Sequence, residues 1–187
     1  VEEQPESARA WFRLGTALMD VGFVSEGERS LVRSVELDPE HVRAWVNLGG
    51  ARLTRWDFRG SIEANERALE IDPDLTAAHF NRGLGYLYLG EPDKMLECFE
   101  KVLEKDPNNS AAYYYRAVGL NALGRTEEAR QQLSIAVSMG FSPDPDLIKD
   151  MEKKLQVAGS PVQIMEFGPE KENHNDAPNK GNESSNG

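Results

Sequence analysis

An all-α array of stacked helix pairs is the fold class this sequence predicts, and three observations predict it. The stretch ELDPEHVRAW, Glu36–Trp45, returns as EIDPDLTAAH and EKDPNNSAAY at intervals of 34 residues. Inside each interval the apolar residues recur with helical rather than strand spacing. Gly and Pro fall at fixed places between the apolar stripes, where they punctuate helices.

The elements follow in chain order. VEEQPES at Val1–Ser7 resembles VELDPEH at Val35–His41, so residues 1–7 are expected to be the remnant of an upstream repeat or a linker. Four units are expected at 8–41, 42–75, 76–109 and 110–143. In the first, Trp11, Leu14, Leu18 and Val21 fall at i, i+3, i+7 and i+10, one stripe of a helix. Gly22 interrupts it. Leu31, Val32, Val35 and Leu37 form a second stripe, and Pro39 ends it because the residue before proline is pushed out of the α region. Gly90 and Gly124 mark the same break later, and Pro92 stands at a first-turn position that tolerates proline. Ser7, Asn109 and Ser110 are the expected N-caps of first helices. Trp11, Trp45, His79 and Tyr113 share one register of the period, and Gly15, Gly49, Gly83 and Ala117 share another. A small side chain there lets two helices approach closely. A pair this short cannot bury its apolar face alone, whereas stacked neighbours can.

After residue 143 the pattern changes. Asp144 is a candidate N-cap, Pro145 sits in a first turn, and Leu147, Met151 and Leu155 share a stripe. A capping helix is expected over 144–158, closing the array with a charged outer face. Residues 159–187 are rich in Gly, Asn, Ser, Pro, Glu and Lys and read as a disordered polar tail, with one apolar island, PVQIMEF, at 161–167.

Composition limits the function. The chain of 187 residues carries a net charge of −11 and no Lys/Arg cluster. Nucleic acid and anionic membrane surfaces are therefore not expected partners. No apolar run reaches the length of a membrane span, so no membrane insertion is expected. Cys98 is the single cysteine, which excludes an internal disulfide and a thiolate metal cluster and suits a small core-facing residue. That fits a reducing compartment, with cytoplasm slightly favoured, but the chain opens on Val1 and its localisation stays open. His41, His79 and His174 are scattered, and no His-Glu-x-x-His, phosphate loop or Gly-x-Ser-x-Gly occurs. Neither enzyme activity nor a cofactor nor a metal is expected.

Trp11-x-x-Leu14-Gly15-x-x-Leu18 and Trp45-x-x-Leu48-Gly49, with Pro39, Pro73 and Pro107 closing their units, resemble the tetratricopeptide repeat over residues 8–143. Met95-x-x-x-Phe99 and Ala129-x-x-x-Leu133 approach its second-helix pattern. The resemblance implies a right-handed α-solenoid whose first helices line a concave groove. The RNA-binding pentatricopeptide repeat is the nearest rival; period, signature and acidic charge argue against it. The second unit departs from the pattern. Arg52 and Asn65 stand where aromatic residues are expected, and Arg55-Trp56 replaces Leu-Gly at the turn. Trp56 is expected to fill the gap the missing leucine leaves; the competing reading is an exposed aromatic anchor on the turn edge.

Helical geometry names the face that the repeat leaves free. It carries Arg9, Arg13, Thr16 and Asp20, then Arg43, Asn47, Gly50 and Thr54, then Ala77, Asn81, Leu84 and Tyr88, then Ala111, Tyr115, Val118 and Ala122. Phe12, Phe80 and Tyr114 are expected at its edge. The candidate peptide-binding set is therefore Arg9, Phe12, Arg13, Arg43, Asn47, Phe80, Asn81, Leu84, Tyr88, Tyr114 and Tyr115. Arginine grips carboxylates, and an asparagine amide pairs with the backbone of an extended peptide. Stacked Asn47 and Asn81 resemble those of peptide-binding members of the family. Arg43, Asn47 and Asn81 match the carboxylate-clamp subgroup, but Ala111 and Tyr115 replace its later basic residues, so chaperone tails are not the expected ligand. The function implied is a non-catalytic scaffold, adaptor or co-chaperone that binds a protein or peptide segment with acidic and apolar residues. Two alternatives stand beside it. The chain is a subunit of a homo-oligomer or larger complex that docks through array ends or the convex face, or its groove is occupied by its own island Ile164–Phe167.

Overall fold

The computed structural model describes residues 7–157. Residues 1–6 of the expected upstream remnant, and the expected tail with its island at 161–167, lie outside the described residues.

Nine helices and no strand make up the described residues: α1 (Ala8–Asp20), α2 (Val24–Leu37), α3 (Val42–Thr54), α4 (Phe58–Ile71), α5 (Thr76–Leu89), α6 (Pro92–Lys105), α7 (Ser110–Ala122), α8 (Thr126–Ser138) and α9 (Pro145–Val157). Each odd helix packs against the next even one, and each even helix against the first helix of the following pair. The chain is an all-α solenoid. Short turns between paired helices lie along one edge of the stack, and the Asp-Pro connections lie along the other.

Both edges are built by local chemistry. At the first, Gly22, Gly90 and Gly124 adopt left-handed φ of 86°, 71° and 75°. Only a residue without Cβ does this at low cost. Trp56 occupies the same register, with φ 63°, and is the one non-glycine residue with positive φ among the described residues. At the other edge, Asp38, Asp72 and Asp106 each accept the backbone N–H two residues on, at 3.2 Å. Trp45 Nε1 donates to the Pro39 carbonyl at 2.8 Å, and His79 Nε2 does the same to Pro73 at 2.9 Å. His79 thus stands in for a tryptophan in holding the connection. Side-chain caps come from Asn109, which accepts from the Ala112 N–H, and also from His41 and Asp57. Ser7 caps α1 without a side-chain bond, and Ser110 is already inside α7.

Three apolar clusters run through the stack: Leu31, Val35, Leu48 and Ala51; then Ile62, Met95, Cys98, Phe99 and Val102; then Ala117, Leu120, Leu133 and Met151. The small-residue register is where first and second helices touch. A Cβ on Gly83 would lie 2.9 Å from the ring of Phe99, and one on Gly49 would lie 2.1 Å from Asn65 Nδ2. In α9, Met151 is buried within the last cluster with Leu147 packed against it, and Leu155 is buried as well. Cys98 is buried, with its thiol pushed above the ordinary value by that burial, and accepts a hydrogen bond from Arg82 Nε.

The first unit differs from the next in burial, and one expectation is corrected. Leu14 and Val21 of the first stripe are exposed, Leu14 by 45%, whereas Leu48, in the same register one unit later, is 1% exposed. The difference is a neighbour: α2 packs against α3, and no helix among the described residues covers the corresponding side of α1. Trp56 does not fill a gap, since it is 73% exposed and leans on Phe58 and Tyr88 instead. The place of the missing packing is taken by charge. Arg52 donates to the Gly60 carbonyl at 2.9 Å, and Arg52 and Arg55 both pair with Glu28 of α2.

Candidate functional site

The basic half of the expected site is assembled in one place. Arg9, Phe12 and Arg13 on the first turns of α1 face Asp38, Glu40, His41, Val42 and Arg43 at the α2–α3 connection, around a cleft of about 530 Å³. Helical spacing puts Arg9, Phe12 and Arg13 on adjoining turns of one face. The Asp-Pro connection brings Arg43 across to them. The Arg43 guanidinium lies 5.5 Å from the centre of the Phe12 ring, and His41 packs on the same ring at 4.8 Å. Arg9, Arg13 and Arg43 are exposed. No ion pair among the described residues engages any of them, although Asp38 and Glu40 line the same cleft. Three cations against two carboxylates leave this cleft electropositive on a chain that is acidic as a whole.

The asparagines sit in neighbouring layers. Asn47 Nδ2 donates to Thr16 Oγ1 at 3.1 Å, and Thr16 Oγ1 in turn donates to the Phe12 carbonyl. One arm of the Asn47 amide is therefore committed to α1, and its carbonyl oxygen remains to accept from a ligand. Asn81 lies beside Gly50 of the preceding unit and is half-buried, with no side-chain hydrogen bond among the described residues.

The apolar half is distributed differently from the expectation. Phe80 and Tyr115 pack on Phe99, edge-on at 5.3 Å and stacked at 5.2 Å, and Leu84 packs against the same cluster. All three are half-buried and contribute as much to the core as to a surface. Burial also raises the Tyr115 phenol above its ordinary value. Tyr114 is stacked at 4.6 Å on Phe141, in the α8–α9 connection, and so belongs to the closing layer of the array. Tyr88 lies at the far end of α5, stacked at 4.7 Å on Phe58. Helical spacing did not reveal Phe58 or His41, because neither lies on the face it defines. A signal for Trp56 was present: it stands in register with Gly22, Gly90 and Gly124.

Among the described residues, no group of three or more His, Cys, Asp or Glu side chains could hold a metal ion, and no helix is long and apolar enough to cross a membrane.

A stack of helix pairs with an electropositive cleft at its first connection fits the class of helical-repeat interaction proteins. Three family models described as tetratricopeptide repeat match residues 12–76, 76–109 and 98–131. The chain belongs to the tetratricopeptide-repeat family. Among solved structures it is similar to the crystal structure of MamA, with 27% identity, a TM-score of 0.70, and 73% of this chain and 80% of that one covered. MamA 41-end from Desulfovibrio magneticus RS-1 shares 17% identity with a TM-score of 0.71 over 83% of this chain and 87% of that one. YrrB, described as a TPR protein with an unusual peptide-binding site, shares 18% identity with a TM-score of 0.71 over 84% and 81%. The last two likenesses speak to the fold alone. No curated protein matches the chain by sequence. Family and fold together make the chain a protein-interaction module, of a repeat type that is generally non-catalytic.

Proposed function

We propose that the chain binds an extended, acidic peptide segment of a partner protein, as a scaffold or adaptor, with the Arg9/Arg13/Arg43 cleft as its anchor. One observation carries this reading: three arginines from two helices line one cleft of about 530 Å³ without an ion-pair partner among the described residues. A guanidinium takes a carboxylate bidentately, and the Phe12 ring offers an apolar contact beside it. Asn47 and Asn81 continue the path along the groove that the repeat family implies, each with an amide group able to meet peptide backbone. Half-buried Phe80, Leu84 and Tyr115 supply apolar floor further along. YrrB, a structural neighbour described by its peptide-binding site, supports the general mode.

Calorimetry tests it with an acidic peptide library screened first on the full chain. Exposed arginine–carboxylate pairs are worth about 0.2–1 kcal/mol each, so Arg13→Ala with Arg43→Ala should weaken the best peptide by about 10-fold. Raising salt should weaken the wild type in the same direction. Unchanged affinity in the double variant removes the arginine cleft as the anchor.

A second reading is favoured by α1. Trp11, Leu14 and Leu18 form an apolar face on which Leu14 is 45% exposed, whereas Leu48, in its register one unit later, is buried against Leu31 and Val35 of the preceding pair. Through this end the chain docks in a homo-oligomer or a larger complex. Leu14→Glu should then lower the mass measured by light scattering, and an unchanged monomeric mass for both proteins rejects self-association.

A further inference from the structure

Exposed apolar side chains on this array are concentrated on one edge. The large hydrophobics most open to solvent among the described residues are Leu14, Val21, Phe23, Trp56, Tyr88, Ile135, Met139 and Val157. Five of these eight, Val21, Phe23, Trp56, Tyr88 and Val157, lie at the end of a first helix or in the turn after it. At the middle of that edge Trp56, Phe58 and Tyr88 form one aromatic patch, with ring centres 4.7–5.9 Å apart. Trp56 is held there in a left-handed conformation that glycine takes in the matching turns. Strain that persists at an exposed side chain marks a position kept for the side chain rather than for the fold. Arg59, exposed beside Phe58, has no ion-pair partner among the described residues.

The end of α9 reaches the same edge. Asp150 accepts from Asn121 Nδ2 at 2.7 Å, Lys154 donates to the Asn121 carbonyl at 3.3 Å, and Lys154 and Leu155 border the Gly124–Thr126 turn. Val157 stands in the register of Leu123, the C-cap of α7. The chain therefore leaves α9 at the turn edge, two repeat steps past Tyr88 and three past Trp56. Packed helices lie 8–10 Å apart, which puts the patch roughly 20–30 Å away. An extended chain covers about 3.3 Å per residue, so the seven to ten residues that separate Val157 from Ile164 and Phe167 are enough to span roughly 23–33 Å.

We propose that the Trp56–Phe58–Tyr88 patch is the docking site of the chain's own segment Ile164–Phe167, held in cis along the turn edge. The segment supplies Ile164, Met165 and Phe167 to the exposed rings of Trp56 and Tyr88 and the half-buried ring of Phe58, and Glu166 to Arg59. The short connection keeps its effective concentration in the millimolar range, so a weak contact is populated without a partner. This surface is distinct from the arginine cleft, because Arg43 and Trp56 bracket α3 at opposite ends. The two assignments stand or fall separately.

The test compares the full chain with its Ile164→Ser/Phe167→Ser variant, whose changes lie outside the described helices. In ¹⁵N-labelled protein the indole resonance of Trp56 is assigned by its loss in Trp56→Gly. The expected result is a shift of that resonance alone among the indoles. Acrylamide quenching of tryptophan emission should rise about twofold, and both effects should be unchanged by tenfold dilution. An unmoved Trp56 resonance overturns the proposal. So does a shift that disappears on dilution, which assigns the segment to a second copy. A shift confined to the Arg13 and Arg43 side-chain signals places the segment in the groove and overturns it equally.

Discussion

Replacing Asn65 by leucine inverts the usual cost of a core substitution. Asn65 is fully buried in α4; its Nδ2 donates to the Ser61 carbonyl at 2.8 Å, while its Oδ1 is buried without a hydrogen-bond partner. The same register carries Leu31, Phe99 and Leu133 in the other units, all buried. Leu31 already packs on a glycine, with the Cβ position of Gly15 only 2.8 Å from Leu31 Cγ, and Gly49 offers Asn65 the same space. Removing an unsatisfied buried acceptor returns about 1–3 kcal/mol, and the lost hydrogen bond costs about 0.5–1.5 kcal/mol. The Ser61 carbonyl keeps its helical N–H, and the buried Ser61 hydroxyl, which loses only a long 3.4 Å contact from Asn65 Nδ2, can turn to the carbonyl one helical turn back. Burying leucine adds about 1.5–3 kcal/mol, against about 1–3 kcal/mol if the extra volume strains its neighbours. The central values leave Asn65→Leu more stable by about 1 kcal/mol. Urea unfolding followed by circular dichroism should show a higher midpoint with an unchanged slope. A variant less stable than wild type by more than about 1 kcal/mol would refute the reasoning, by showing that the amide holds more than its visible partner.

Three further outcomes are expected. Gly83→Ala places a Cβ 2.9 Å from Phe99 and should destabilise by about 1–3 kcal/mol in the same urea assay. Trp56→Gly relieves a left-handed residue worth about 1–2 kcal/mol and loses two exposed ring contacts worth about 0.5 kcal/mol each. Its stability should therefore match or exceed wild type by up to about 1 kcal/mol, and a loss larger than that would make Trp56 a packing residue. Asp150 is held below its ordinary 3.8, first by the hydrogen bond from Lys154 and then by that from Asn121. A depressed carboxyl contributes fully above 3.8 and loses its contribution as pH falls through the lower folded value. Amides of α9 should accordingly lose hydrogen-exchange protection in acid before those of α5 and α6, and Asp150→Asn should remove that early loss.

Much of the fold was legible because the repeat writes it several times. Pro39, Pro73 and Pro107 end helices through backbone sterics, and Gly22, Gly90 and Gly124 take left-handed turns; both effects act within a few residues. The candidate site was legible only in part. Arg9, Arg13 and Arg43 meet in one cleft because their spacing and one connection suffice to bring them there. Phe80, Leu84 and Tyr115 share the same helical face, yet neighbouring helices draw them toward Phe99. Tyr114 is taken up by Phe141, from a connection with no periodic pattern to announce it. Which side of a half-apolar stripe meets solvent depends on what the next layer offers, and that is not a local property.

The sequence by itself determined the period, the helix breaks, the small-residue contacts and the acidic charge. Each follows from residue type and spacing along the chain. Tertiary structure alone decided that Leu14 is open while Leu48 is closed. It also set Arg52 and Arg55 around Glu28 and turned Trp56 outward onto Tyr88. Those outcomes are fixed by which surfaces of successive layers touch, and burial is a property of the stack rather than of any one unit in it.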